Sequence, residues 1–481
     1  MIEKLSSGAP GLNKIIQGGI TAGSLTLIQG SPGTGKTTLA LQFLRDGSEK
    51  GQTGLYVSLS QTEAELRKIA ASHGWSLDGI HIVDISRDHD LPSKAQSIFH
   101  TSDLHLDRTR ERIDGLIAAV KPARLVYDSL LEVRLLTADQ QGYQRELIGL
   151  RQHLQDQGIT ALLLDAAPAG DPHYDTEARG IVDAIITLEK TLPEFGRARR
   201  RIEVAKMRGV AIRDGWHDMD IRTGSGVTVF PRTVPSEDVD LKQNFERGGL
   251  VQSGLERLDG ILGGGMEPGT TTMVVGQTGV GKSTIASLYA QSALRRGEKV
   301  ALFLFEERVE TFFRRSEGLG MNLRQDYADG RLKLYDFNPD ELSAGEFGQM
   351  VQKEAESDEL RVVVIDSFTG YVSALSNQKQ ALFDIQSLLK YLARRNILTI
   401  LIVAEQGLLG ENRALPLDLS FLGDTVLLLM IDDYHGRIRR RIVAVKKRHG
   451  PHDLNVRELI IQPGVVDVGE EVTDASTGSR R

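Results

Sequence analysis

Two octapeptides carry residue types whose spacing can hold a phosphate chain. Gly30-Ser31-Pro32-Gly33-Thr34-Gly35-Lys36-Thr37 and Gly276-Gln277-Thr278-Gly279-Val280-Gly281-Lys282-Ser283 both satisfy G-x-x-x-x-G-K-[ST], and each is followed by one more hydroxyl, Thr38 or Thr284. Glycines let successive backbone N–H groups curl around an anion, and the loop ends at the positive end of a helix. The lysine reaches the outer phosphates as a point charge, and Thr37 or Ser283 offers an oxygen to Mg²⁺. Each loop also has the required context, an apolar strand before it and a helix after it. ATP with Mg²⁺ is the expected ligand, and Lys36 and Lys282 count as catalytic as well as binding groups. A chance glycine-rich turn explains one such loop poorly and two in register not at all.

A phosphate cradle also needs an acid at the end of a buried strand to hold the cation. Asp128 in LVYDS and Asp366 in VVIDS stand there, although an aspartate before serine is also good helix-capping chemistry. A third group must act on the attacking nucleophile. In the second half the strand after the loop helix ends FLFEER, which supplies Glu306 and Glu307. The equivalent strand of the first half ends in Ser60 and Gln61. A carboxylate accepts a proton, whereas an amide can only orient water. Turnover is therefore expected mainly in the second half, with Gln61 or Glu63 as the only stand-ins in the first. The competing reading of Glu306-Glu307 is a solvated strand end.

These groups recur because the chain is written twice. Gly8 matches Gly254 and Lys36 matches Lys282, both 246 residues apart; Asp128 and Asp366 are 238 apart; GRARRRIEVAKMRG from 196 and GRIRRRIVAVKKRHG from 436 are 240 apart. So small a drift means loop insertions in two equivalent domains, expected at 1–245 and 246–470, with a polar tail at 471–481. Short apolar runs alternate with amphipathic ones. The first half reads as strand 24–29, helix 36–49, strand 54–59, helix 63–73, strand 124–128, helix 141–157 and strand 160–165. Continuously apolar short strands are those of a parallel sheet buried on both faces, and the alternation implies an α/β fold wound with helices.

Composition bounds the rest. A chain of 481 residues, 40 % hydrophobic and 26 % charged, is too long for one core and too apolar for global disorder. It has no cysteine, which excludes thiol nucleophiles and cysteine-bound zinc. A net charge of −7 argues against coating nucleic acid. No run of about 18 apolar residues spans a membrane, and the first residues lack a secretory pattern, so a cytoplasmic protein is expected.

The twin loops, the glycine-rich segments before them and the Glu-Glu pair resemble the KaiC family of RecA-like ATPases over essentially the whole chain. The most specific element is late in each half: Lys206-Met207-Arg208-Gly209 followed by Trp216-His217, and Lys446-Lys447-Arg448 followed by His452-Asp453. The resemblance implies two tandem RecA-like P-loop NTPase domains, each a mostly parallel sheet wound with helices. It implies that Lys206, Arg208, Lys446 and Arg448 reach a neighbouring subunit's ATP in a homohexameric double ring. Read without it, they are a basic cluster at a strand end that discourages strand pairing. It further implies serine autokinase activity in the second domain and a KaiB-like partner protein.

The chain departs from the family at several places. The family's first domain carries two glutamates where Ser60 and Gln61 stand. Its phosphorylated Ser-Thr pair becomes Ser420-Phe421, so Ser420 is the one phosphorylation candidate. His449 stands where the family has glycine, and the tail is short. The leading expectation is thus an ATPase acting in timing or signalling. Its rivals are a RecA-like motor on nucleic acid, supported only by the arginine runs 197–201 and 437–441, and a non-catalytic scaffold cemented by nucleotide.

Overall fold

A computed structural model describes residues 3–85, 101–137, 140–166, 176–193, 196–235, 249–338, 342–357, 359–373, 375, 378–405, 419, 421–434 and 437–472. The chain divides into two compact units, Met1–Arg232 and Thr233–Arg481. The boundary anticipated at residue 245 lies outside the described residues.

In the first unit, β1 (Leu25–Gly30), β2 (Gly54–Ser58), β3 (Ile80–Asp84), β4 (Arg124–Asp128), β5 (Thr160–Asp165) and β6 (Ala184–Thr191) run parallel. Beyond β6 come β7 (Arg199–Met207), β8 (His217–Arg222) and β9 (Gly226–Phe230), all antiparallel. The nine-stranded order is β3-β2-β4-β5-β1-β6-β7-β8-β9. The second unit repeats it with β10 (Thr271–Gly276), β11 (Lys299–Leu304), β12 (Leu332–Asp336), β13 (Leu360–Asp366), β14 (Leu398–Ala404), β15 (Thr425–Tyr434), β16 (Arg437–Lys447), β17 (Arg457–Gln462) and β18 (Val465–Glu471), ordered β12-β11-β13-β14-β10-β15-β16-β17-β18. Two tandem RecA-like α/β domains result.

Alternate residues of each central strand feed different cores. Ile28, Tyr56, Val126 and Leu162 pack on one face of the first sheet, and Leu27, Leu55, Leu125 and Leu163 on the other. Burial on both faces makes these strands read as unbroken apolar runs. The helices that matter for the site are α1 (Lys36–Glu49), α2 (Glu63–Ser72) and α3 (Leu130–Leu136), then α4 (Lys282–Arg295), α5 (Val309–Gly318) and α6 (Phe368–Ser373). Among the described residues no helix is long and apolar enough to cross a membrane.

Candidate nucleotide sites

Each phosphate loop leaves the carboxyl end of the central strand, β1 or β10, and enters α1 or α4. Gly35 and Gly281 take φ of 108° and 114°, left-handed values that favour glycine. A Cβ there would meet Ile221 Cδ1 at 2.8 Å or Ile461 Cδ1 at 2.3 Å, so the antiparallel strands β8 and β17 press directly on the loops. Lys36 Nζ donates to the carbonyls of Gly30 at 2.6 Å and Ser31 at 3.2 Å, and Lys282 Nζ to Gly276 and Gln277, both at 2.8 Å. Both ammonium groups thus sit inside their own loops. Burial lowers the pKa of each, opposed by Asp128 and Asp165 around Lys36 and by Asp366, Glu306 and Glu405 around Lys282. Thr38 and Thr284 are buried along the helices.

Asp128 and Asp366 close β4 and β13 beside these lysines, and each is followed by a cis peptide. Their surroundings differ. Asp366 is hydrogen-bonded by Ser283, the loop hydroxyl itself; burial raises its pKa, Ser283 and Arg315 oppose the rise, and Glu307 and Glu306 add to it. Asp128 instead accepts the Tyr56 phenol at 2.5 Å, and Thr37 bonds to that phenol. Burial raises the Asp128 pKa too, against Tyr56, Lys36 and Ser60 and with Glu132. Tyr56 was not singled out from sequence; a hydroxyl inside an otherwise apolar strand was its only signal. A hydroxyl paired with a buried carboxylate is an all-oxygen set that fits Mg²⁺, and a cation would offset the burial of that charge. Among the described residues no cluster of three His, Cys, Asp or Glu could hold a metal alone. A Mg²⁺ held by one such pair would take its other ligands from phosphate and water.

The strand-end pairs separate on inspection. Ser367 Oγ donates to Glu306 Oε1, leaving an exposed carboxylate anchored at one oxygen. Glu307 is engaged by Arg315 of α5 through two bonds of 3.1 and 2.8 Å. Of the two, Glu306 is the more exposed, and Glu307 holds Arg315, whose charge acts on Asp366. Sequence reasoning missed Arg315. In the first unit Ser60 bonds Asp128, the Gln61 side-chain oxygen is buried, and Glu63 pairs with Arg67 at 2.7 Å on α2.

Lys206 and Arg208 lie at the other end of the sheet from their own loop. Lys206 Nζ donates to the carbonyls of Arg179 and Val182, both at 2.9 Å, and Arg208 pairs with Asp183 at 3.3 Å. Asp183 in turn accepts the N–H of Leu25 at the start of β1. The second unit matches: Lys446 donates to Gly423 O at 2.7 Å, Arg448 pairs with Asp424 at 3.3 Å, and Asp424 accepts from Thr271. At about 3.3 Å per residue, strand Leu25–Gly30 puts roughly 16 Å between the level of Arg208 and the loop. Ser420 lies outside the described residues; Phe421 beside it is exposed.

A family model described as "ATPase: KaiC" matches residues 5–234 and again 251–473. The chain is 26 % identical over 481 residues to the circadian clock protein KaiC3 of Synechocystis sp., covering 98 % of this chain and 92 % of the relative. It is 27 % identical over 472 residues to the circadian clock oscillator protein KaiC of Parasynechococcus marenigrum, covering 96 % and 89 %.

Proposed function

The chain belongs to the KaiC family of ATPases, and from that premise we propose that each repeat binds Mg-ATP and that the second carries most of its hydrolysis. The observation that carries this reading is the constellation at the end of β10 and β13: Lys282 within its loop, Ser283 bonded to Asp366, and Glu306 anchored by Ser367. Mg²⁺, when bound, neutralises charge developing on the phosphates. Lys282 exchanges loop carbonyls for phosphate oxygens, Ser283 and Asp366 hold the cation, and Glu306 accepts a proton from water. Lys36, Thr37 and Asp128 do the binding part of this work in the first repeat. The Lys36→Ala, Lys282→Ala double variant should release no phosphate from Mg-ATP; release at the wild-type rate overturns the reading.

The assembly we infer is a homohexamer in which Lys206, Arg208, Lys446 and Arg448 complete the ATP sites of neighbouring subunits. Their distance from their own loops supports this. Relatives named for circadian clocks support a timing or signalling role, with a KaiB-like protein as the candidate reader of nucleotide state. The second repeat is also proposed to phosphorylate Ser420, which needs the hydroxyl within about 3–3.5 Å of the γ-phosphorus. Phe421 cannot take a second phosphate, so a single mark is expected. Mass spectrometry after incubation with Mg-ATP should place it on Ser420; phosphate elsewhere, or none, removes the kinase assignment.

A further inference from the structure

The first repeat has no acid at its strand end, yet a carboxylate sits on the equivalent serine. Leu59 and Phe305 donate their backbone N–H to the carbonyls of Asp128 and Asp366, both at 2.6 Å. In this register Ser60 matches Glu306, Ser129 matches Ser367, and Glu132 matches Gly370. In the second repeat Ser367 Oγ donates to Glu306, and a Cβ on Gly370 would stand 3.1 Å from that same Glu306 oxygen. In the first repeat Ser129 Oγ donates to Glu132 Oε2 at 2.5 Å. The exchange is reciprocal: where the strand end has lost its acid, the helix position that is bare glycine in the other repeat has gained one.

We propose that Glu132 is the catalytic carboxylate of the first repeat, accepting the proton from the water that attacks the γ-phosphorus of ATP bound there. This rests on the ATPase reading above. A new bond forms between the water oxygen and the γ-phosphorus, and the bond from that phosphorus to the β–γ bridging oxygen breaks. ADP leaves with the electron pair. One water proton passes to Glu132 and then to solvent; the other stays on the phosphate product.

The spelling Ser-x-x-Glu at the start of α3 also suits a helix capping box. That box needs Ser129 Oγ to accept from the Glu132 N–H, and Ser129 makes no side-chain cap bond; its hydroxyl is a donor to the carboxylate instead. Of the other candidates at this site, Glu63 is paired with Arg67, and the Gln61 side-chain oxygen is buried without a hydrogen-bond partner and, as an amide, cannot take up a proton as a carboxylate does. Glu132 also acts on Asp128 electrostatically as Glu306 and Glu307 act on Asp366, so its carboxylate lies near the strand-end aspartate.

The test uses the full chain carrying Glu306→Gln, so that phosphate release reports the first repeat. Adding Glu132→Gln should lower that release about 10²-fold or more, with affinity for a fluorescent ATP analogue at the first site changed by less than about twofold. Ser60→Glu combined with Glu132→Gly in the same background rebuilds the second repeat's arrangement and should recover turnover to within about tenfold, which a purely structural Glu132 would not allow. If Glu306→Gln alone removes all turnover, or if Glu132→Gln leaves the residual turnover unchanged, the assignment of Glu132 is overturned and the ATPase reading stands. A wild-type protein that releases no phosphate overturns both.

Discussion

The backbone N–H of Arg232 can donate but not accept, and it donates to Nδ1 of His217 at 3.0 Å. That fixes the tautomer: the proton is on Nε2, which faces the Arg213 carbonyl at 2.9 Å. His217, which follows the Lys-Met-Arg-Gly motif that carries the family resemblance, is therefore a buried strut in the first unit. Burial pushes its pKa down; the Arg213 carbonyl opposes this, the Arg213 and Arg232 charges add to it, and Asp218 opposes it. The unfolded chain takes up a proton near pH 6.5 while the folded one resists. Stability from this group is thus complete at higher pH and is lost as pH falls below about 6.5, by at most about 1.4 kcal/mol per pH unit. Both tryptophans, Trp75 and Trp216, belong to the first unit, so their fluorescence follows its unfolding alone. Its melting temperature should fall between pH 7.5 and 5.5, and His217→Asn should flatten that dependence. Equal slopes in wild type and variant would remove His217 as the cause.

At the scale of elements, legibility followed burial. The runs expected at 24–29, 54–59, 124–128 and 160–165 are β1, β2, β4 and β5 to within about a residue, because central parallel strands have no polar face to interrupt the run. The edge strands β3 and β12, IHIVD and LKLYD, went unread because each mixes exposed polar residues with few buried ones. The antiparallel third of each sheet was hidden by charge: β7 reads RRRIEVAKM, and its buried Ile202, Val204 and Met207 follow three arginines and are interrupted by Glu203 and Lys206. The site divides the same way. The phosphate loops and the strand-end aspartates follow from local spelling, so they could be read directly. Tyr56 on Asp128, Arg315 on Glu307 and Glu132 on Ser129 are tertiary contacts. No local pattern announces them, and they decide how the two repeats differ.

For the whole molecule the question is which subunit's residues serve which ATP. The loop of each repeat opens at the carboxyl end of its parallel strands, while Arg208 and Arg448 are held at the opposite end by Asp183 and Asp424. A cation some 16 Å away along the strand gives its own site little, because exposed charges beyond about a Debye length of 8–10 Å are screened. In a closed head-to-tail ring every subunit presents one such edge to its neighbour's loop. Each charge-assisted bond to phosphate is worth about 1.5–3 kcal/mol, so the loss of two should silence most turnover at a site. The consequence is complementation between two inactive partners. Glu306→Gln disables the loop side of second-repeat sites, and Lys446→Ala with Arg448→Ala disables the reaching side. A site built from the loop of the second variant and the edge of the first contains neither lesion. Random 1:1 mixing, after disassembly without nucleotide and reassembly with Mg-ATP, should make about a quarter of the second-repeat sites intact. Phosphate release should rise above the mean of the separate variants by about that share of wild-type second-repeat turnover. A mixture that only averages its components means these cations act within their own chain or not at all, and the shared-site ring is then wrong.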